Sequence, residues 1–228
     1  MQPALRWLVA GIAAAHCSFG TAATGGVAIS EWMYNPVGSP GEFVELTNFG
    51  SSAVDFSGWS FDDSSRQPGS ESLAAFGLVQ PGQSVVFTEA SADAFRAAWG
   101  LSADVAVIGA ITNNLGRSDE INIYDGSTLV DRLTFDDQGS GSVKGPRTQG
   151  TSGRPGSAAV IGTNDASAWV LSAVGDAEGS WKSAGGDIGS PGRTSFAVAA
   201  VPEPESWALM LAGGALTLVL SRRRQPRQ

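Results

Sequence analysis

The sequence contains only one cysteine and one histidine, and these two residues are neighbours near its N-terminus, at Cys17 and His16. Removal of an N-terminal leader would therefore leave a chain with neither residue. Such a chain has no Ser-His-Asp triad, no Cys-His dyad and no Cys/His zinc site. It also has no disulfide, so packing alone must stabilise it after export. We therefore predict a mature protein that is not an enzyme and that needs no cofactor or metal.

Charged residues are scarce as well, at 16% of the chain. Five arginines and two glutamates belong to the two chain ends described below: Arg6, Arg222, Arg223, Arg224, Arg227, Glu203 and Glu205. Without them, the middle of the chain has nine basic and 20 acidic residues, a net charge of −11. A domain this acidic is repelled by phosphate backbones unless its few cations cluster. We predict that it does not bind nucleic acid.

Glycine, in contrast, is abundant, with 30 residues among 228. Gly-rich turns that separate short apolar runs favour an all-β fold over a helical one. The length allows one domain of ordinary size, large enough to bury a core.

The N-terminus has the three parts of a secretory signal peptide. Arg6 supplies the positive charge, residues 7–15 form an apolar run, and the small residues at 20–23 form a cleavage zone. Cleavage after Ala22 or after Ala23 is compatible with this pattern, and the sequence does not separate the two. We assign residues 1–23 to the signal peptide.

Two other readings of this leader are weaker. A transmembrane anchor needs about 20 apolar residues, and this run is far shorter. A lipoprotein signal would use Cys17 as the lipidated residue. It requires a small residue directly before the cysteine, where this chain has His16.

The C-terminus, residues 196–228, has the pattern of a second targeting signal. Pro202-Glu203-Pro204 precedes 15 uncharged residues, 206–220, and Arg222-Arg223-Arg224 follows at once. As a helix the uncharged run spans about 22 Å, short of the roughly 30 Å of a hydrocarbon core, and the arginines would hold its end in the cytoplasm. A buried terminal helix of the domain is the alternative, but the run has no polar face. We predict a short transmembrane helix.

This order of parts resembles the PEP-CTERM sorting signal of Gram-negative bacteria that make exopolysaccharide. The residues that match are Pro202, Glu203, Pro204, Arg222, Arg223 and Arg224. The resemblance implies sorting by exosortase, a membrane-embedded transpeptidase-like enzyme, and a final location in the cell envelope or the extracellular matrix. Glu205 stands where a serine or threonine is common in the family. Whether the tail is removed or retained as an anchor stays open.

Alternating apolar and polar residues predict the elements of the middle domain. The first predicted strand begins at Val27 and ends at the Asn35-Pro36 turn. The other predicted strands are 42–48, 54–61, 83–88, 105–108, 120–124 and 128–135. A β-bulge is expected at Ser57-Gly58, where the apolar face switches. A helix is expected at 92–99 with Ser91 as its N-cap, and a hairpin at Asp125-Gly126. The Gly-, Ser- and Thr-rich segment 139–164 is expected to be a long flexible loop.

The ordered series of strands resembles the lamin-tail domain of bacterial exported proteins. The matching pieces are 29–31, 42–48, 54–59, 78–82, 94–96, 118–120, 130–133, 169–171 and 189–192. The resemblance covers residues 27–194 and implies an immunoglobulin-like β-sandwich, which we assign to residues 24–195. The family is a binding or structural module, and the resemblance implies no catalytic residues.

Two aspartate pairs place oxygen ligands in loops, as calcium sites do. Asp62-Asp63 is followed by Ser64-Ser65, and Asp136-Asp137 by Gln138. Neither pair has the spacing of a calcium loop, and aspartate is common in turns for its backbone hydrogen bonds. We predict a structural role and no metal.

Two further groups of charged residues are weak candidates. Lys144, Arg147 and Arg154 form a thin basic loop that could contact phosphate or acidic polysaccharide, although a solvated loop is the simpler interpretation. Glu31, Glu42 and Glu45 include a conceivable glycosidase pair. Their positions in the strand pattern indicate instead the polar face of a sheet.

Two functional classes remain. The first is a non-enzymatic surface or matrix protein whose sandwich is structural or binds a protein or a glycan. Five tryptophans could include a sugar-stacking platform, namely Trp32, Trp59, Trp99, Trp169 and Trp181. Of these, Trp32 and Trp59 suit the core instead. The second class is an accessory module of an extracellular hydrolase or nuclease system, but about 170 residues leave no room for a nuclease domain beside the sandwich.

Overall fold

The computed structural model of the protein describes residues 26–197. The predicted signal peptide, the Pro-Glu-Pro motif, the 206–220 helix and the arginine cluster lie outside these residues. Within residues 26–197, no helix is long and apolar enough to cross a membrane.

The described chain is mostly β-structure with one α-helix. The strands are β1 (Val27–Met33), β2 (Phe43–Asn48), β3 (Val54–Asp55), β4 (Trp59–Asp62), β5 (Glu71–Ser72), β6 (Leu78–Val79), β7 (Ser84–Thr88), β8 (Ala106–Ile108), β9 (Ser118–Asp125), β10 (Thr128–Asp136), β11 (Gly153–Pro155), β12 (Trp169–Leu171), β13 (Trp181–Lys182) and β14 (Ile188–Gly189). Helix α1 is Ala92–Trp99. Short 3₁₀ turns lie at Ala74–Phe76, Gly141–Val143, Ala158–Val160 and Ala166–Ala168.

Two sheets pack face to face around the main core. The larger has the order β12-β11-β1-β2-β7-β8, and the smaller has the order β10-β9-β4-β5. Aromatic side chains join them, with ring centroids 3.9 Å apart for Trp32 and Phe135 and 4.7 Å apart for Phe61 and Phe87. Such inner-face aromatics supply much of the buried apolar area of a sandwich. The predicted all-β sandwich is confirmed as this Ig-like arrangement.

The other face of the larger sheet is covered too. Met33, Phe43 and Val86 of this face pack with Phe95 and Trp99 of α1 in a second buried cluster. The alternation of apolar and polar residues along β1 is typical of a half-buried strand, but all seven of its residues are buried. Alternation identifies the two faces of a strand, and it does not reveal that a later helix covers the polar one.

Helix α1 follows its predicted bounds because its two ends are capped. The side chain of Ser91 accepts a hydrogen bond from the Ala94 amide, and Gly100 ends the helix with a φ of 63°. Glycine adopts this left-handed conformation without a Cβ clash. Phe95 and Trp99, one turn apart, form the buried side of the helix.

The hairpin predicted at Asp125-Gly126 is confirmed. Asp125 is paired with Thr128, so Gly126 and the next residue form the two-residue loop between β9 and β10. Gly126 has a φ of 56°, which favours glycine at the first loop position.

The single bulged strand expected at 54–61 is wrong. β3 pairs with β6 in a small separate sheet, whereas β4 belongs to the four-stranded sheet. Between them the Trp59 amide donates to the Phe56 carbonyl at 2.9 Å, so the chain turns at Ser57-Gly58. A change of apolar face has the same sequence pattern whether the strand bulges or breaks.

The expectation of a long flexible loop at 139–164 is also wrong. β11 lies within this segment and pairs with both β1 and β12. Gly153 stands opposite Trp32, and a Cβ at Gly153 would lie 3.1 Å from the Trp32 Nε1 atom. A small residue is needed there because the strand passes close to the large side chain.

The loops at Gly38 and Gly185 touch each other through their backbones, and a Cβ on either glycine would overlap the other loop. We expect Gly38→Ala to lower the free energy of unfolding by about 2 kcal/mol or more, because backbone cannot move aside as a side chain can. Gly116→Ala is the matched control, since its Cβ would meet nothing closer than 3.5 Å. Chemical denaturation of both variants checks this, and equal stabilities would contradict it.

Candidate functional site

The last segment of the domain before the sorting tail is held by three glutamates. This segment, residues 189–195, is called the strap below. The Ser190 amide donates to Glu31 at 2.7 Å and the Gly192 amide to Glu45 at 2.6 Å. The amide of Ser195 donates to Glu178, and its hydroxyl donates to the same carboxylate at 2.7 Å. All three glutamates are at most 5% exposed.

Glu31 and Glu45 lie directly opposite each other on β1 and β2, so their side chains are close together on the face that the strap covers. Burial raises the pKa of Glu31 to about 7, although hydrogen bonds from Ser152 and Ser190 work against that shift. Burial, and then the charge of Glu31, raise the pKa of Glu45 well above its ordinary value. Two buried like charges at this spacing are unfavourable, so the pair retains a proton near neutral pH.

The pair is closed off from solvent by the strap itself. A Cβ at Gly189 would lie 2.9 Å from Oε1 of Glu31 and 3.1 Å from the Trp99 ring, so the strap backbone passes directly over the pair. The oxygens of Glu31 and Glu45 accept from serine hydroxyls and strap amides. The arrangement therefore fastens a backbone segment to a sheet.

Glu42 does not join this pair. Its Oε1 accepts from the Leu115 amide at 2.5 Å, and burial raises its pKa to about 8. Nearby Glu89 raises that pKa further, and the Leu115 amide lowers it. The three glutamates considered as a glycosidase pair thus hold two different segments. Their expected place on the polar face of a sheet is confirmed for Glu31 and Glu45, and that face is buried.

The first aspartate pair shapes its own loop. Asp62 is buried, and it accepts from the Gln67 amide at 2.6 Å and from the Asn113 side chain at 2.9 Å. Asp63 accepts from the Ser65 amide at 2.8 Å. Their carboxylates occupy backbone donors of the turn, as turn aspartates commonly do.

The second aspartate pair lies at the end of β10. Asp137 accepts from Arg117 and from the Tyr34 hydroxyl. The hydrogen bond from Arg117 is the main reason that the pKa of Asp137 is lowered. Asp136 accepts from the Gln138 amide. Residues 26–197 hold no group of three or more His, Cys, Asp or Glu side chains that could bind a metal ion.

The three residues of the thin basic loop do not share one partner. Arg147 lies 3.7 Å from Asp137, and Arg154 lies 2.9 Å from Asp176, with only 15% of the Arg154 side chain exposed. Lys144 is exposed. Two of the three cations are therefore already close to carboxylates, which weakens the case for a phosphate-binding patch.

The tryptophans do not form one platform. Four of the five considered for sugar stacking are buried, namely Trp32, Trp59, Trp99 and Trp169. Trp181 is partly exposed, and its Nε1 donates to the Trp99 carbonyl at 3.0 Å. Among these five, only Trp181 presents an accessible ring.

Sequence reasoning missed the strap contacts. Glu178 lies in an irregular loop with no motif, so nothing in the sequence connects it to Ser195. Residues 189–192 carry only the lamin-tail resemblance in the sequence, yet Gly189 is required there because a side chain would meet Glu31. The only available signal was the presence of glutamates in otherwise apolar strands.

The strap also determines where the chain can be shortened. We expect a chain that stops after Ala197 to melt like the longer one, but a stop after Thr194 removes Ser195. Glu178 then loses two donors in a buried place, which lowers the free energy of unfolding by about 1–3 kcal/mol. Thermal melting of the two truncated chains checks this. Equal melting temperatures would mean that Glu178 does not hold the strap.

Comparison with known proteins identifies two parts of the chain. The family model of the lamin tail domain matches residues 20–137, and the model of the PEP-CTERM protein-sorting motif matches residues 200–225. No curated protein and no solved structure matches the chain. The first match ends with β10, so the strands from β11 onwards and the strap lie outside it. The motif implies export, processing by exosortase and sorting to the cell surface. The chain belongs to the lamin-tail-domain family and carries a PEP-CTERM sorting motif.

Proposed function

We propose that the protein is a non-enzymatic component of the cell envelope or extracellular matrix of a Gram-negative bacterium. Its sandwich serves as a structural module that binds a glycan or a protein of that layer. The observation that supports this most directly is the use of its buried acids. Glu31, Glu45 and Glu178 hold the strap, so these acids join the folded domain firmly to the sorted tail.

The strap limits the reach of the domain. Seven residue steps lead from Ser195 to Pro202, and an extended chain of that length spans at most about 25 Å. A clamped strap therefore keeps the sandwich close to the sorting motif and to the membrane that handles it. A short tether of this kind suits a surface module that is displayed in place.

The proposed partners do not include nucleic acid. Six of the seven arginines among residues 26–197 lie within 4.0 Å of a carboxylate. Pairing of this kind leaves few cations free to follow a phosphate backbone, in addition to the net charge of −11.

The test uses the full-length chain expressed in a host that has exosortase and makes a polysaccharide matrix. We expect the protein to sediment with washed matrix and to be released when the matrix polysaccharide is digested. A matched strain without polysaccharide synthesis is the control. Recovery from the cytoplasm, or equal shedding into the medium by both strains, would contradict the proposal.

A further inference from the structure

One arginine differs from all the others in this acidic domain. Arg193 is the seventh arginine of residues 26–197, and it has no carboxylate oxygen within 4.0 Å among them. Its guanidinium instead lies over the ring of Trp181, with Cζ 4.9 Å from the centroid. In a domain of net charge −11, a guanidinium that no carboxylate of residues 26–197 approaches is available to an external anion.

The guanidinium is oriented but only partly used. Its Nη2 donates to the Gly179 carbonyl, and the described residues provide no hydrogen-bond partner for Nε or Nη1. A guanidinium that stacks on an aromatic ring keeps its N–H groups in the plane, where a carboxylate can accept two of them. The ring and the Gly179 carbonyl thus hold Arg193 in a position to bind a carboxylate.

Arg193 stands at the edge of a surface cavity of about 310 Å³ between the end of α1 and the strap. Leu101, Val105, Trp99 and Trp181 provide apolar walls, and among the described residues that line the cavity Arg193 alone is charged. This volume is at the lower end of the roughly 300–1,000 Å³ of small-molecule sites. The cavity is suited to a compact group with an apolar face and one negative charge.

We propose that this cavity binds a carboxylate-bearing sugar residue of an acidic polysaccharide. A sugar acid has an apolar ring face for the Leu101 and Val105 walls and one carboxylate for Arg193. A phosphate has a charge of about −1.5 to −2, which a single arginine in an acidic domain balances poorly. This inference rests on the proposed function, for which it names the ligand class.

The experiment titrates trigalacturonate into the full-length chain in detergent and follows tryptophan fluorescence and heat. We expect binding of trigalacturonate and none of the neutral galactotriose. Arg193→Gln should weaken binding roughly tenfold or more, as expected for the loss of a charge-assisted pair. Arg66→Gln, the matched control, removes a half-exposed guanidinium that is not part of the cavity lining and should change binding less than twofold.

A second variant separates binding from folding. Ser102→Glu places a negative charge on the exposed rim of the cavity without altering Arg193, and it too should weaken binding. No binding by the wild-type chain, or equal binding by Arg193→Gln, would overturn the inference. Arg193-dependent binding to phosphatidylglycerol vesicles in place of trigalacturonate would overturn it in favour of a membrane surface. Matrix sedimentation is measured separately, so failure here with sedimentation retained leaves the proposed function standing.

Discussion

Replacing Pro202, Glu203 and Pro204 together by alanine should stop processing and leave a full-length precursor in the membrane. The run at 206–220 would still insert, because its apolar residues and the arginines that follow it are unchanged. Exosortase would lose the element that it recognises, since the motif implies that enzyme. Cell fractionation with mass spectrometry of the C-terminus, in a host that has exosortase, measures the outcome.

Two controls make this result specific. Ser206→Ala changes a residue two positions after the motif and should leave processing as in the wild type. The triple-alanine protein in a host without exosortase should look the same as it does with the enzyme. If the triple variant is processed and released like the wild type, the tail is a simple anchor and the motif is not the signal.

The domain should be markedly less stable at pH 8 than at pH 5. The unfolded Glu31 ionises near pH 4.5, whereas burial keeps the folded one protonated to about pH 7. The contribution of Glu31 to the free energy of unfolding is therefore fully present below pH 4.5 and is lost as the pH rises through 7. The loss is about 3 kcal/mol for this group. Burial raises the pKa of Glu42 to about 8 and that of Asp131 to about 6, which adds to the loss. Denaturant unfolding across this pH range measures it.

Glu31→Gln is the variant that tests this origin. Glutamine keeps an oxygen for the Ser190 amide and cannot ionise, so the fall in stability between pH 5 and pH 8 should become smaller. Asp125→Asn, which removes an exposed carboxylate at the hairpin, should leave that fall unchanged. An unaltered pH profile for Glu31→Gln would show that Glu31 does not carry the effect.

Below pH 4 a second group of acids should reverse the trend. Hydrogen bonds from Arg66 lower the pKa of Glu120 to about 2. The pKa of Asp187 is also lowered: burial acts to raise it, but the hydrogen bonds from the amides of Val37, Gly38 and Ser39 outweigh that effect. These groups stabilise the fold above their unfolded pKa values and lose that contribution in acid. The two opposite trends place the maximum of stability near pH 5.

The sequence by itself determined the features that depend on short-range patterns. Alternation located most strands, Ser91 indicated the start of α1, and the Asp125-Gly126 pair marked a hairpin. Each depends on backbone preferences of neighbouring residues, which do not require knowledge of the rest of the fold. The order of Pro202-Glu203-Pro204, an apolar run and an arginine cluster identified the sorting tail by its resemblance to a known signal, because all three parts lie close together in the chain.

Only the tertiary structure decided what covers each face and which distant groups meet. β11 joins the sheet beside β1 across more than 100 residues, and the strap crosses the polar face of that sheet to bind Glu31 and Glu45. No local pattern records such contacts, because they depend on how late segments return to early strands. The tertiary structure likewise places Arg193 on the Trp181 ring and away from the carboxylates of residues 26–197. Long-range packing, which a linear pattern does not encode, brought the strap to Glu31, Glu45 and Glu178 and so gave these acids their role in holding it.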